Sequence, residues 1–450
     1  MADIPYLPLT DADREKILRR LGIGSIKELI DRAVPPEIQY KGKLPIPDGL
    51  SYHEVEKVIG DLSKQNSAAR MKIFAGGGAY QMYVPAVVDE ISSRPEFYTA
   101  YTPYQPEVSQ GTLTAIFEFQ SMITAITGME IANASMYDGA SATAEAAILS
   151  IHRTKRKKIL YSQGLNPLYL EVLRTYLHGF GAELVPVPLE KGTTDVSALD
   201  NLLDESVACF ILQNPNFFGV VEDGFAFAEK IHSVGALFVV VVADAMSLGI
   251  LTPPGEYGAD VVAGEAQQFG NYLNFGGPYL GFFAAKRQFL RSMPGRIIGM
   301  TEDVDGRRGF VMVLQTREQH IRRARATSNI CTNQQLCALR ATVYLALLGE
   351  RGFRQIARIL HDRAHYMAEK LTQIPGVELM YNAPFFREFA VKLPVDAGQV
   401  VDSLSREGII PGINLGRFYS PMKDVLLVAS SDLYGKEDID ELTERIRELI

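Results

Sequence analysis

The run Leu237-Phe-Val-Val-Val-Val-Ala243 constrains this chain more than any other segment, because it is apolar throughout, rich in β-branched residues and has no face to offer to water. Such a strand must be covered on both sides, the condition of a central strand in a parallel sheet flanked by two helical layers. Short β-rich runs at Ile131–Ser135, Lys158–Ser162, Leu184–Pro188, Ala208–Gln213, Asp260–Gly264 and Tyr279–Ala284 alternate with helical stretches around it. An α/β fold with a large, mainly parallel sheet is therefore expected over residues 66–330. From 331 to 450 the pattern changes to a long helical region through Ala341–Leu348 and Arg354–Ile374. Short strands follow at Val377–Met380, Glu388–Leu393 and Val425–Ser430, then an amphipathic final helix, Lys436–Ile450, which together predict a smaller C-terminal α+β domain. Residues 1–65 read as an N-terminal helical arm. Thr10 caps a segment ending at Gly22, Ser25…Glu28 and Ser51…Glu54 have capping-box spacing, and a proline-bearing tether from Pro35 to Leu50 separates them, an extended arm that needs a surface to lie on.

Charge narrows the function classes. With 45 basic and 53 acidic residues and a formal charge of −8, the chain is a poor polyanion binder, so no nucleic-acid partner is expected. No segment approaches the roughly 20 apolar residues of a membrane span, and the opening MADIPYLPLTDADREK lacks the apolar core of a secretory leader, so a cytoplasmic location without a membrane partner is expected. Cys209, Cys331 and Cys337 form no paired cluster and are read as reduced, buried thiols.

Some chemical motifs have plain explanations. His361 and His365 share a helix face, but the glutamate of a zinc-protease helix is replaced by Asp362 and no third ligand is near, so no metal site is expected. Gly76-Gly77-Gly78 lacks a preceding strand and a following Lys-Ser/Thr, which points to a tight backbone approach rather than a phosphate loop. Four other segments carry more. Residues 98–111 crowd three tyrosines, two prolines, Glu107, Ser109 and Gln110 into one stiff loop. Asp138-Gly139 joins a strand to an alanine-rich helix, whose first N–H groups either receive an anion or are capped by the chain itself. Asp244 ends the most buried strand, where ligands bind in doubly wound sheets, with Asp260, Gly264-Glu265-Ala266-Gln267-Gln268 and Phe275-Gly-Gly-Pro-Tyr-Leu-Gly following. Residues 319–334 run His320, Arg322, Arg323 and Arg325 into the polar turn Thr327-Ser328-Asn329.

Together with Gln213-Asn-Pro-Asn-Phe-Phe-Gly, Pro253-Pro-Gly-Glu-Tyr-Gly-Ala-Asp, Val304-Asp-Gly-Arg-Arg-Gly-Phe and Thr316-Arg-Glu-Gln-His, these segments resemble the P-protein family of the glycine cleavage system, from about residue 5 to the C-terminus. The resemblance is greatest to the α chain of its two-chain form. It implies a fold-type I, pyridoxal phosphate (PLP)-dependent aminotransferase-like architecture and an α2β2 assembly whose β subunit carries PLP. That complex decarboxylates glycine and passes the aminomethyl group to the lipoyl arm of the H-protein. A PLP enzyme needs a Schiff-base lysine and an acid beside the pyridine nitrogen. The resemblance puts Asp244 at the acid position but Gln267 and Gln268 where a catalytic chain has His-Lys, and Lys286 falls past the next strand, so no covalently bound cofactor is expected in this chain. Tyr101, Tyr104 and Glu107 are then expected to form an active-site wall at the αβ interface, facing the partner's PLP. Several positions depart from the family pattern: Gln81-Met82 replaces Asp-His, Ala266 and Gln268 interrupt Gly-Glu-Gly-Gln-Ser-Leu-Gly, and Asn166 stands for a histidine before Pro167. The competing readings are a structural or regulatory pseudoenzyme subunit and an autonomous PLP enzyme with an unconventional lysine.

Overall fold

Val239 and Val241 enter one apolar cluster and Val240 and Val242 another, on opposite faces of a seven-stranded sheet, in a computed structural model that describes residues 9–450. The alternation of successive side chains across a strand is why the 237–243 run has no polar position. Residues 1–8, the first half of the opening MADIPYLPLTDADREK, lie outside the described residues. The sheet consists of β1 (Ile131–Ala132), β2 (Lys158–Ser162), β3 (Glu183–Val187), β4 (Val207–Gln213), β5 (Leu237–Val242), β6 (Val261–Glu265) and β7 (Gly281–Ala285). Their spatial order is β1-β7-β6-β5-β4-β2-β3. Strands β3, β2, β4, β5 and β6 are mutually parallel, while β7 runs antiparallel between β6 and β1.

The alanine-rich helix Gly139–Thr154 is buried at every residue from Gly139 to Ile151, and its small side chains let it lie close on the sheet. A second sheet, β8 (Glu378–Leu379), β9 (Glu388–Lys392), β10 (Ile413–Asn414) and β11 (Val425–Ala429), is antiparallel in the order β8-β9-β11-β10. It packs its apolar face on the end of the 38-residue helix Gln335–Thr372 and on helices Ala397–Arg406 and Lys436–Leu449. The long helix breaks its helical geometry once, at Gly349 (φ 58°, ψ −176°), a backbone conformation open to glycine and costly for other residues.

Several elements escape the sequence pattern. A hairpin of Ile297–Glu302 and Arg308–Val313 spans the Val304-Asp-Gly turn, its outer positions too polar to read as strands. Lys72–Ile73 pairs in parallel with Ile409–Ile410, a contact 337 residues apart along the chain (409 − 72) that no local signal announces. One expectation is corrected: Cys209 is buried, but Cys331 is exposed, because it lies in the irregular surface stretch before the long helix.

Contacts divide the chain into two units, one ending at Asn66 and one running from Ser67 to Ile450. The first contains helices Asp11–Leu21, Ile26–Ala33 and Tyr52–Gln65, started by Thr10, Ser25 and Ser51 side chains; Gly22 closes the first in the left-handed conformation.

Candidate functional site

Asp244, one residue beyond the alanine that follows β5, lies at the carboxyl end of the parallel strands and is 4% exposed. Its carboxylate is held by a fully buried arginine from the segment leading into β9. Arg387 Nε donates to Asp244 Oδ2 at 2.6 Å and Nη2 to Oδ1 at 2.8 Å, a bidentate pair. Arg387 Nη1 donates to the Met82 sulfur at 3.0 Å, and the guanidinium lies 3.8 Å from the centre of the Tyr80 ring. Burial works against the Arg387 charge, but Asp244, then Tyr80 and Glu388, outweigh it and hold the guanidinium above its ordinary range. Glu388 closes the cluster: Gly77 N–H donates to Oε1 at 2.6 Å and Tyr80 O–H to Oε2 at 2.9 Å, while burial pushes the carboxyl up to about 7. The triple-glycine segment makes the close approach expected of it, since a Cβ on Gly76 would fall 2.2 Å from Glu388 Oε1.

The two glutamines are locked in the same place. Gln267 clamps the Tyr80 backbone, accepting from its N–H at 3.0 Å and donating to its carbonyl at 3.1 Å. Gln268 Nε2 donates to the carbonyl of Ala243 at 3.0 Å, and its Oε1 is buried without a partner among the described residues. Gln268 is thereby held on the residue before Asp244. At the start of helix Gly139–Thr154 the choice between anion and cap is settled by the chain itself. Gly139 N–H donates to Glu265 Oε2 at 2.9 Å, and Ser141 N–H to Asp138 Oδ1 at 2.7 Å. The other Glu265 oxygen accepts from Gln267 N–H and Leu280 N–H, both at 3.0 Å.

Pyridoxal phosphate does not fit this set of residues. The free volume beside Asp244 is about 10 Å³, Arg387 occupies the carboxylate that would face a pyridine nitrogen, an amide replaces the amine, and two carboxyl groups stand where a phosphate would need donors. Lys286 offers no substitute, because its ammonium is bound to Asp260 Oδ1 at 2.6 Å at the C-terminal end of β7, which runs antiparallel to β6 and so ends at the opposite edge of the sheet from Asp244.

The sequence model of the glycine cleavage system P-protein matches residues 5–446. The chain belongs to that family. It is 47% identical to the "Probable glycine dehydrogenase (decarboxylating) subunit 1" of Desulfitobacterium hafniense, with 99% of each chain covered. The protein of the same name from Moorella thermoacetica is likewise 47% identical, at 99% coverage of both chains. A crystal structure of glycine decarboxylase (P-protein) of the glycine cleavage system, in inhibitor-bound form, superposes with a TM-score of 0.91 at 44% identity, covering 99% of this chain and 100% of that one. A sphingosine-1-phosphate lyase from Burkholderia pseudomallei (12% identity, TM-score 0.67, 92% of this chain and 94% of that one) shares the fold-type I architecture alone.

In this P-protein chain the tyrosine-rich loop lies at the surface, apart from the Asp244 pocket. Tyr101 is 77% exposed, Tyr104 44%, and Glu107 is exposed. Tyr104 is held from below, with its ring edge-on to His320 at 5.6 Å and the Arg296 guanidinium 6.0 Å away. Among the departures, Met82 supplies a sulfur to Arg387. Gln81 accepts from the Tyr434 hydroxyl, and Asn166 donates to the Gly77 carbonyl at 2.8 Å and caps Leu168. Ala266 is fully buried. The 361/365 histidine rings lie 4.1 Å apart, but each is engaged elsewhere: His361 Nδ1 is 2.9 Å from Asp362, and His365 stacks on Phe385 at 4.0 Å. No group of metal-ligating side chains occurs among the described residues.

Arg387 is the residue that sequence reasoning missed. Its signal was present in Phe-Phe-Arg-Glu-Phe-Ala-Val (385–391), two charges inside an apolar run, which in a folded chain requires a buried partner.

Glu145, inside the alanine-rich helix, yields a pH-dependent prediction. Burial pushes its carboxyl up to about 7, against a hydrogen bond from Ser328. The folded chain thus keeps a proton there that the unfolded chain releases near 4.5, so this contribution is fully present below pH 4.5 and is lost as pH rises through 7. Glu145→Gln should reduce the loss of unfolding free energy between pH 5 and pH 8 by about 3 kcal/mol, measured by urea titration. Parallel pH profiles for the two proteins would count against it.

Proposed function

We propose that this chain is the α subunit, subunit 1, of a glycine dehydrogenase (decarboxylating), an oxidoreductase component that works without a cofactor of its own. In this reading a β subunit carries PLP, the two chains form an α2β2 heterotetramer in the cytoplasm, and the complex decarboxylates glycine and transfers the aminomethyl group to lipoyl H-protein. The observation that carries it is the Asp244–Arg387 pair, which fills the chain's own cofactor pocket. The autonomous-enzyme alternative is disfavoured by the same pair and by Lys286 being held on Asp260.

Exposed apolar surface supports a partner. Val55, Val58, Ile59 and Leu62 form a stripe at i, i+3, i+4 and i+7 on helix Tyr52–Gln65, and Ile26, Leu29 and Ile30 are exposed on the helix before it. In the complex, the role proposed for Tyr101, Tyr104 and Glu107 is to wall the partner's reaction site. Prolines at 103 and 106 stiffen the loop, and tyrosine offers an apolar body with a polar tip, which suits a wall that keeps water from a developing carbanion while leaving an entrance.

Glycine-dependent CO2 exchange tests this directly. Neither chain alone should exchange, and the mixture should. Tyr101→Phe, Tyr104→Phe or Glu107→Gln should lower turnover of the assembled complex about ten-fold, ~1.4 kcal/mol in the barrier, with assembly intact. Unaltered turnover in all three variants would reduce the chain to a structural subunit.

A further inference from the structure

The N-terminus of helix Gln335–Thr372 carries an unmet demand for negative charge. Gln334 places no side-chain cap on it, and the N–H groups of Gln335, Leu336 and Cys337 find no acceptor among the described residues. Beside this helix end lies a cavity of about 110 Å³ lined by Tyr101, Thr102, Arg296, Thr332, Gln335 and Leu336.

Arg296 supplies the independent observation. It is only 4% exposed, yet it forms no ion pair with a carboxylate among the described residues. Its Nη1 donates to Asn333 Oδ1 at 3.0 Å, while its Nε is buried without a partner. A second buried cation is also under-satisfied: Arg317, 7% exposed, donates from Nη1 to the Met293 carbonyl, and its Nε and Nη2 have no partners among the described residues. Glu318 follows Arg317 in the chain, but its Oε1 is unpartnered and its Oε2 lies 3.8 Å from His320. Arg322, Arg323 and Arg325 are exposed a few residues further along, in a chain whose net charge is −8. A buried guanidinium without a counter-charge is expensive, and a helix start without a cap adds positive potential at the same place.

We propose that this cavity binds a single oxyanion, a carboxylate or phosphate, gripped by the Arg296 guanidinium that lines it, the Thr332 hydroxyl and the free N–H groups of the helix start. The volume suits one such group with a few waters and excludes a nucleotide. The site belongs to this chain and stands apart from the cofactor-free reading, so either claim can fail alone. The oxyanion comes either from a free small acid or from an acidic group presented by a partner subunit across the exposed Tyr101.

Two arms separate those sources. In the first, melting of the isolated full chain is compared in sodium phosphate, sodium acetate and sodium chloride at matched ionic strength. A free anion raises the transition by about 3 °C in phosphate or acetate, and the rise disappears in Arg296→Gln and in Thr332→Val. Thr332→Val keeps every charge and so carries the test if Arg296→Gln does not fold. In the second arm, a partner-supplied group gives no shift in the isolated chain. Phosphate then competes with assembly of the co-expressed complex, and both variants weaken assembly at least ten-fold. Absence of an anion shift together with unchanged assembly in both variants would overturn the site.

Discussion

Arg387→Met should cost about 3–5 kcal/mol of folding stability, because it leaves Asp244 as a buried carboxylate with no counter-ion. The side chain is wholly buried, so water cannot replace the lost partner. The pair's net worth is much smaller than the cost of breaking it, since taking both charges out of water offsets most of their attraction. The double replacement Asp244→Leu/Arg387→Met should therefore recover most of the loss, and urea unfolding of the two singles and the double closes the cycle. Additive losses, or a single-variant cost below about 1 kcal/mol, would mean that the pair is hydrated.

Putting the lysine back should fail. Gln268→Lys places an ammonium where the present side chain is fully buried, beside the Ala243 carbonyl and with Asp244 already neutralised by Arg387. A buried lysine without a partner has its pKa depressed, toward ~5–6 in the strongest cases. The folded chain then gives up a proton that the unfolded chain keeps up to about pH 10.4, which costs about 4–5 kcal/mol at pH 7. The sign follows from the depressed folded value: the penalty is largest at low pH and shrinks as pH rises toward 10. Unfolding at pH 7 and pH 9.5 checks this. Incubation of the variant with PLP should give no adduct that borohydride can fix, because Arg387 and Glu265 still occupy the other two anchoring positions. A single pyridoxyl-lysine at position 268 would show that the pocket opens more readily than its 10 Å³ free volume implies.

Local patterns made much of the architecture readable. The strand segments of the large sheet lie within two or three residues of the runs seen in the sequence, since each strand writes its burial into its own composition. Capping residues likewise located Thr10, Ser51 and Gly22, because a helix end is satisfied by its immediate neighbours. The family pattern aligns Asp244 and Gln268 with one site, and Gln268 is held on the carbonyl of Ala243, the residue before Asp244.

What fills that pocket was decided by tertiary structure. Arg387 is 143 residues from Asp244, Glu265 is 126 from Gly139, and Gln267 is 187 from Tyr80. The sequence by itself determined which residues had to be buried and which strand ends could meet a ligand, through hydrophobic periodicity and short-range capping. Only the fold decided that a guanidinium from the second sheet would close the site from within, because a buried charge takes its partner from whatever distant segment packing brings within hydrogen-bonding reach.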